Sequence, residues 1–396
     1  MADIHLGYEQ YNLSVRREDF SRAFHEAVEK TLELRPNFMI IAGDLFHQAR
    51  PSNKTLEDAV QNFRKLREAG VPVLVVDGSH DAAPNLITGT ILNPLDSAGL
   101  IYYLPRHENA CWKNDSCYVY GVPNFRTRQR TEHQLPAFYE LKKPKPDASR
   151  FNIFVFHMAL DIPEIMKGRP SGIAEASPEY IPQGFDYYAG GHLHTPWQLP
   201  FKGSLLVYSG STETVSYEDA NIEKGFYYVE VDGKDSVEIN RIKLSSPRVF
   251  KILERDFTGY SPRKITEKTV EMVKENDEPG VIIVPVLRGT LPAEASRSEI
   301  DLARIRNSTE RALLVRPLVL MREESLPPEV VQSIFQSSIK YLKRKAFEYF
   351  NEFFSKRYEK KQAEKIVRLA VEMIQPLVKG DEENVKLLLE GILRED

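Results

Sequence analysis

The chain has 396 residues, 42% hydrophobic and 28% charged, with a formal net charge of −4. At ~150 residues per domain it is too long for one ordinary core, and its composition is that of a globular protein. It excludes a membrane span, since no apolar run approaches ~20 residues; it also lacks a charged-then-apolar leader, and its acidic balance leaves contact with a polyanion to local basic patches.

Residues 1–245 alternate strand and helix signals. Residues 17–34 have helical apolar spacing through Phe20, Phe24, Ala27 and Val28, and residues 54–69 through Leu56, Val60, Phe63 and Leu66. Apolar runs at 37–42, 71–76, 151–156 and 185–189 read as strands, as do 116–120, 204–209, 225–231 and 237–243. Cys111 and Cys117 are the only cysteines and flank a turn-like stretch. So few exclude a disulfide scaffold and point to a reducing cytoplasm.

A second module starts near Pro247: strand 248–255, helix 261–274, strand 281–288, helix 297–307 and strand 312–321. Ser325-Leu326-Pro327-Pro328 reads as a linker. The remainder is helical, with one stripe through Phe335, Ile339 and Leu342 and another through Ile366, Ala370 and Met373, limited by Pro376. A last apolar face carries Leu388, Leu389 and Ile392. These stripes are too apolar for a lone tail, so they are expected to dock on another chain or on the body of this one. The domain boundaries are thus expected at 1–245, 246–325 and 326–396. Basic patches at Arg16-Arg17, at Arg126, Arg128 and Arg130, and at Lys343-Arg344-Lys345 are the candidates for nucleic-acid contact, each with a solvated face as its bland reading.

Five motifs carry the chemistry: Asp3-Ile4-His5, Gly43-Asp44, Gly78-Ser79-His80-Asp81, His157, and Gly191-His192-Leu193-His194. Each of the last four follows a strand signal, so the side chains converge on one sheet rim. Asp3 and His5 are expected on one side of an extended segment, and His192 and His194 on one side of theirs. Carboxylate and imidazole suit Mn²⁺, Fe²⁺ or Zn²⁺. Alone, each motif has a bland structural reading; in this order they describe a two-metal phosphoesterase site. His25, His107 and His133 have no partner at ligand spacing and are read as structural.

With these motifs the chain resembles the calcineurin-like metallophosphoesterases. More narrowly it resembles the archaeal meiotic-recombination-eleven (bacterial SbcD) nucleases of double-strand-break repair. The narrower words are Asp3-Ile4-His5-Leu6-Gly7-Tyr8, Gly43-Asp44-Leu45-Phe46-His47 with Arg50-Pro51-Ser52, and Tyr208-Ser209-Gly210-Ser211-Thr212-Glu213. The resemblance implies a four-layer αββα sandwich, a small α/β capping domain that contacts DNA, and a C-terminal helical tail. It implies two Mn²⁺ ions, one held by Asp3, His5, Asp44 and His194, the other by Asp44, Ser79, His157 and His192. His80 would be the proton donor, and His47 would shape access.

It also implies 3′-to-5′ exonuclease activity on duplex DNA and endonuclease activity on single strands. Homodimerisation would use 54–69 and 85–98. The tail would dock on the coiled coil of an ABC-type ATPase (Rad-fifty, SbcC), in the cytoplasm beside the nucleoid. Two departures stand out. The family has Asn where this chain has Ser79, so the second ion is expected to bind more weakly. Only two residues precede Asp3, so Asp3 and His5 are expected to be less rigidly held. The rivals are a phosphoesterase for another substrate and a DNA-bridging scaffold.

Overall fold

The computed structural model describes every residue except 84–88, 170–171, 235, 293–294, 324–338, 356–357, 380–384, 387 and 389–396. The chain divides into two compact units. One is Met1–Arg255 with Thr266–Leu287 and Asp301–Val319; the other is Asp256–Ile265, Arg288–Ile300 and Leu320–Asp396.

In the first unit, α1 (Ser14–Leu34), β1 (Met39–Ala42), α2 (Asn53–Glu68), β2 (Val73–Val76), α3 (Leu92–Ser97) and β3 (Tyr102–Tyr103) build a parallel sheet ordered β1-β2-β3. Next come β4 (Cys111–Lys113), β5 (Cys117–Gly121), α4 (Arg128–Leu141), β6 (Phe151–His157), α5 (Pro163–Met166), β7 (Tyr187–Gly191), β8 (Trp197–Phe201) and β9 (Ser204–Tyr208). They form a six-stranded sheet ordered β4-β5-β6-β7-β9-β8, parallel inside and antiparallel at both edges. A hairpin of β10 (Gly225–Val231) and β11 (Val237–Lys243) follows.

The layering follows from alternation along the strands. In β6, Ile153 and Val155 point to a core shared with Leu74 and Val76 of the first sheet. Phe154 and Phe156 point the other way, to a core closed by Leu135 of α4. A third core packs Phe24 and Val28 of α1 and Phe63 and Leu66 of α2 on Ile41, Val73 and Val75. Helix, sheet, sheet and helix are therefore stacked, an αββα sandwich.

Further along, β12 (Phe250–Asp256), α6 (Pro262–Glu275), β13 (Ile282–Arg288), β14 (Thr290–Leu291), α7 (Leu302–Arg306), β15 (Leu314–Val315), β16 (Leu318–Val319) and β17 (Arg322–Glu323) follow in order. β13 lies between β12 and the pair β15 and β16. The single strand expected at 312–321 is two, because Pro317 between them has no N–H to give the ladder. The helix expected at 297–307 is a short 3₁₀ turn and then α7, whose start is capped by the Asp301 side chain accepting from Arg304 N–H at 2.8 Å.

Arg16 corrects a sequence expectation. It is fully buried, not an exposed cation for DNA. Its guanidinium donates to Gln10 Oε1 (2.9 Å), Asp19 Oδ2 (2.6 Å), Glu213 Oε1 (3.2 Å) and the Thr214 carbonyl (2.9 Å). It lies over the rings of Phe20 and Phe250, 5.1 and 5.3 Å from their centroids. Arg248 also reaches Asp19, at 2.5 and 2.6 Å. Burial opposes the charge on Asp19, but Arg248 and Arg16 hold its carboxyl below the usual range. Arg17 is half-buried and pairs with Glu9 at 2.7 Å.

In the second unit, α8 (Ile339–Ser355) and α9 (Lys360–Lys379) follow each other. Ala363 and Val367 are buried, whereas Ile366, Ala370, Met373 and Leu388 are half-buried. Phe347, Tyr349 and Tyr358 are exposed. Pro376 does not end α9, which runs on to Lys379; so near the helix end it removes only one late hydrogen bond. Phe335, Leu389 and Ile392 lie outside the described residues, as do the side chains of Ile339 and Leu342. Among the described residues no helix is long and apolar enough to cross a membrane.

Replacing Arg16 with Met strands the buried Asp19 and Glu213 carboxylates. The expected cost is about 3–5 kcal/mol of stability, read from urea unfolding.

Candidate metal centre

Parallel strands present functional groups at their carboxyl ends. Gly43 and Asp44 follow β1, Ser79 and His80 follow β2, His157 ends β6, and His192 and His194 follow β7. Residues 1–6 add a further arm. Asp3 N–H donates to the Gly43 carbonyl (3.2 Å), Ile4 and His5 N–H both donate to the Asp44 carbonyl (2.9 and 3.0 Å), and Leu6 bridges to Phe46.

Asp3 and His5 are 0% and 1% exposed. The expectation that they are loosely held is therefore corrected, since backbone hydrogen bonds and burial fix them. Nor is the segment simply extended. Asp3, His5, Asp44 and His192 have φ of +53°, +50°, +50° and +89°. Left-handed backbone at such residues costs about 1–3 kcal/mol each and survives where the surroundings over-determine it.

Three glycines allow the strand ends to meet. A Cβ on Gly191 would stand 1.8 Å from the Ala42 carbonyl oxygen, one on Gly43 2.3 Å from His157 Nδ1, and one on Gly78 2.1 Å from Asp44 Oδ1. Asp81 ties two loops together. Its carboxylate accepts from Gly78 N–H (2.6 Å), Leu45 N–H (2.7 Å) and Phe46 N–H (3.3 Å). Burial and the nearby Asp44 push its carboxyl up to about 7.

Around Asp44 the donors fall into two sets. On one side, Asp3, His5 and His194 bring one ligand atom each within 4.8 Å of one another. His5 Nε2 is 3.4 Å from His194 Nε2 and 3.9 Å from Asp44 Oδ2. On the other side, His157 Nε2 is 3.2 Å from Asp44 Oδ2, and the His192 ring is 5.4 Å from the His157 ring. His192 and His194 thus diverge to the two sides instead of sharing one. Ser79 Oγ donates to Asp44 Oδ2 at 3.5 Å.

His80 sits above Asp44, its N–H donating to Asp44 Oδ1 at 2.9 Å and its Nδ1 lying 2.9 Å from the His47 carbonyl. His47 stacks between His80 (4.7 Å) and Tyr8 (3.7 Å). Burial and His80 hold His47 down at about 4, so it is neutral near pH 7. Of the proposed cations, Arg128 pairs with Glu132 and Asp161 at 2.8 and 2.9 Å, Arg126 donates to the Ala82 carbonyl at 2.8 Å, and Arg130 is exposed. His25 lies 3.1 Å from Asn62 Oδ1 and His107 3.0 Å from Asp96 Oδ1, both structural contacts.

The donor chemistry fits divalent metal. His157 Nδ1 donates to the Ala42 carbonyl at 2.8 Å, which commits Nε2 to face Asp44. That Nε2 is buried with no hydrogen-bond partner among the described residues. His194 Nδ1 faces Asp219 Oδ2 at 3.3 Å, which turns its Nε2 toward Asp3. A carboxylate or carbonyl behind each ligand ring is the usual way of fixing its tautomer. Burial opposes protonation of His157, but Asp44 outweighs it and holds the ring up at about 10. Burial pushes Asp3 up, whereas His157 and His5 hold Asp44 well below the usual carboxylate range despite burial.

Sequence reasoning missed Asp219, Glu175 and Asn124, whose Nδ2 donates to the His157 carbonyl at 2.5 Å. Asp219 had a readable signal, the Ser216-x-x-Asp219 capping box. Glu175 and Asn124 lie in loops with no motif around them.

This fold and donor set are those of the calcineurin-like phosphoesterases, and the model of the family so described matches residues 1–196. The chain is 30% identical over 332 residues to the DNA double-strand break repair protein Mre11 of Archaeoglobus fulgidus, covering 77% of this chain and 71% of that one. The proteins of the same name from Methanococcus maripaludis and Methanopyrus kandleri are each 29% identical, over 61% and 79% of this chain and 64% and 69% of theirs. The chain belongs to the Mre11 family of these phosphoesterases.

Substituting Ala for Gly191 forces the end of β7 away from Ala42. The variant is expected to lose about 3 kcal/mol of stability, seen in thermal or urea melts, and to bind Mn²⁺ more weakly in a calorimetric titration.

Proposed function

We propose that this chain hydrolyses DNA phosphodiester bonds at a centre of two divalent ions, Mn²⁺ among them, when it processes double-strand breaks. The observation that carries the reading is the fully buried His157 Nε2, aimed at Asp44 and free of hydrogen bonds among the described residues. In this reading Asp3, His5, Asp44 and His194 hold one ion, and Asp44, Ser79, His157 and His192 the other. Bound there, the pair supplies charge stabilisation for the attacking and leaving oxygens and a water of lowered pKa.

The chain's own residues do the rest. With Nδ1–H donating to the His47 carbonyl, His80 keeps Nε2 for proton exchange with the leaving sugar oxygen. His47, stacked on Tyr8 and His80, holds that ring upright and narrows the approach to it. Arg126, Arg128 and Arg130 at the start of α4 are exposed and would meet the phosphate backbone. The names of the relatives favour DNA over a small phosphate ester as substrate. The same family membership supports exonuclease action on duplex ends, endonuclease action on single strands, a homodimer and a nucleoid setting. The module beginning near Pro247 would add DNA contacts.

The helical tail is the proposed dock for an ABC-type coiled-coil ATPase. Phe347 and Tyr349 are 45% and 65% exposed, more aromatic surface than a solvated helix needs. Phe347→Glu with Tyr349→Glu should leave Mn²⁺-dependent cleavage intact and abolish co-purification with the ATPase. Retained tight binding would contradict the dock.

Cleavage of end-labelled duplex DNA tests the nuclease. His80→Ala should bind Mn²⁺ as the parent chain does and cut at least about 100-fold more slowly. Cleavage by the parent chain should stop on chelation. A His80→Ala chain that cuts at the parental rate would remove His80 from the reaction, and a parent chain unaffected by chelation would refute the metal reading.

A further inference from the structure

Glu175 has no part in the assignments above. It lies between α5 and β7 and is 9% exposed. The backbone fixes its place: Glu175 N–H donates to the Ala159 carbonyl at 2.8 Å, and Leu160 and Ala176 form a parallel bridge. The carboxylate is therefore held beside the chain just two residues past His157. Its Oε2 accepts from Ala159 N–H at 3.4 Å and lies 3.8 Å from His192 Nε2.

That last separation is too long for a hydrogen bond. It suits two ligands of one ion, because donor atoms each ~2.0–2.2 Å from a metal stand roughly 3–4 Å apart. Among the described residues, no Lys or Arg forms an ion pair with Glu175; His192 is its one such neighbour. A buried carboxylate with no cation near it but the His157 ring, itself paired with Asp44, is costly. A divalent ion between Glu175, His192 and His157 removes that cost.

Ligand chemistry on the Ser79 side points the same way. Asp3 groups both with His5 and His194 and with Asp44 and His157, so both sides draw on Asp3 and Asp44. Beyond those carboxylates the His157 and His192 side offers two imidazoles and the Ser79 hydroxyl, whose hydrogen already goes to Asp44 Oδ2. Hard divalent ions favour carboxylate oxygen.

We infer that Glu175 is a ligand of the second ion and adds a carboxylate of its own beside His192. This rests on the two-ion reading above.

Calorimetric titration of the full chain with Mn²⁺ as the only added ligand tests this. The parent chain should take two ions. Glu175→Gln keeps the shape and an acceptor oxygen but loses the charge. It should leave one ion unchanged and weaken the other by about tenfold or more. Glu175→Asp keeps the charge and shortens the arm; it should also weaken only that ion, and it carries the test if the Gln variant does not fold.

A Glu175→Gln chain that binds two ions with parental affinities overturns the inference while leaving the two-ion reading in place, since an amide oxygen could then orient His192 just as well. A parent chain that binds no more than one ion overturns the two-ion reading itself. Electron paramagnetic resonance of the bound Mn²⁺ gives a second readout. The spectrum of the weakened ion should change in both variants, and an unaltered spectrum counts against ligation.

Discussion

Backbone closeness at Gly43, Gly78 and Gly191 is the constraint on which the centre depends. The carbonyl of Ala42, the ring of His157 and the carboxylate of Asp44 occupy the space where a Cβ would be. The ends of β1, β2, β6 and β7 can therefore meet across the two sheets. Once they do, each ligand has only one place to go. His157 Nδ1 finds the Ala42 carbonyl, and its other nitrogen is turned to Asp44. The positive φ at Asp3, His5, Asp44 and His192 is the strain that this packing imposes.

A second layer of polar groups keeps the strained loops in place. Asp81 binds three N–H groups from the loops after β1 and β2, Asn124 holds the His157 carbonyl, and Asp219 holds His194 while pairing with Lys224 at 3.2 Å. Farther out, Arg16 locks α1 to the Glu213 loop and to Phe250. Geometry at the metal centre is thus set by groups that never touch it, the arrangement by which outer partners tune ligand rings.

Much of this was legible in the sequence because it is periodic or motif-bound. The strands at 225–231 and 237–243 were read to the residue, and the αββα layers follow from the alternation in Phe151–His157. The motif residues around Asp44 do converge. What was not legible depends on contacts far apart in sequence. Arg16 in a run with Arg17 looks like a basic patch; its burial needs Glu213, nearly 200 residues later. Glu175 sits in a loop with no pattern, brought in by a bridge to Leu160. Local chemistry also misled: Pro376 reads as a stop but falls in the last turn of its helix, where it costs little.

The central claim is that Asp44 joins two ions in one centre. Electron paramagnetic resonance of the chain loaded with two equivalents of Mn²⁺ tests it most directly. The account predicts the spectrum of a magnetically coupled pair, replaced by that of isolated ions in Asp44→Asn. A spectrum of isolated Mn²⁺ from the unaltered chain at full loading would contradict it.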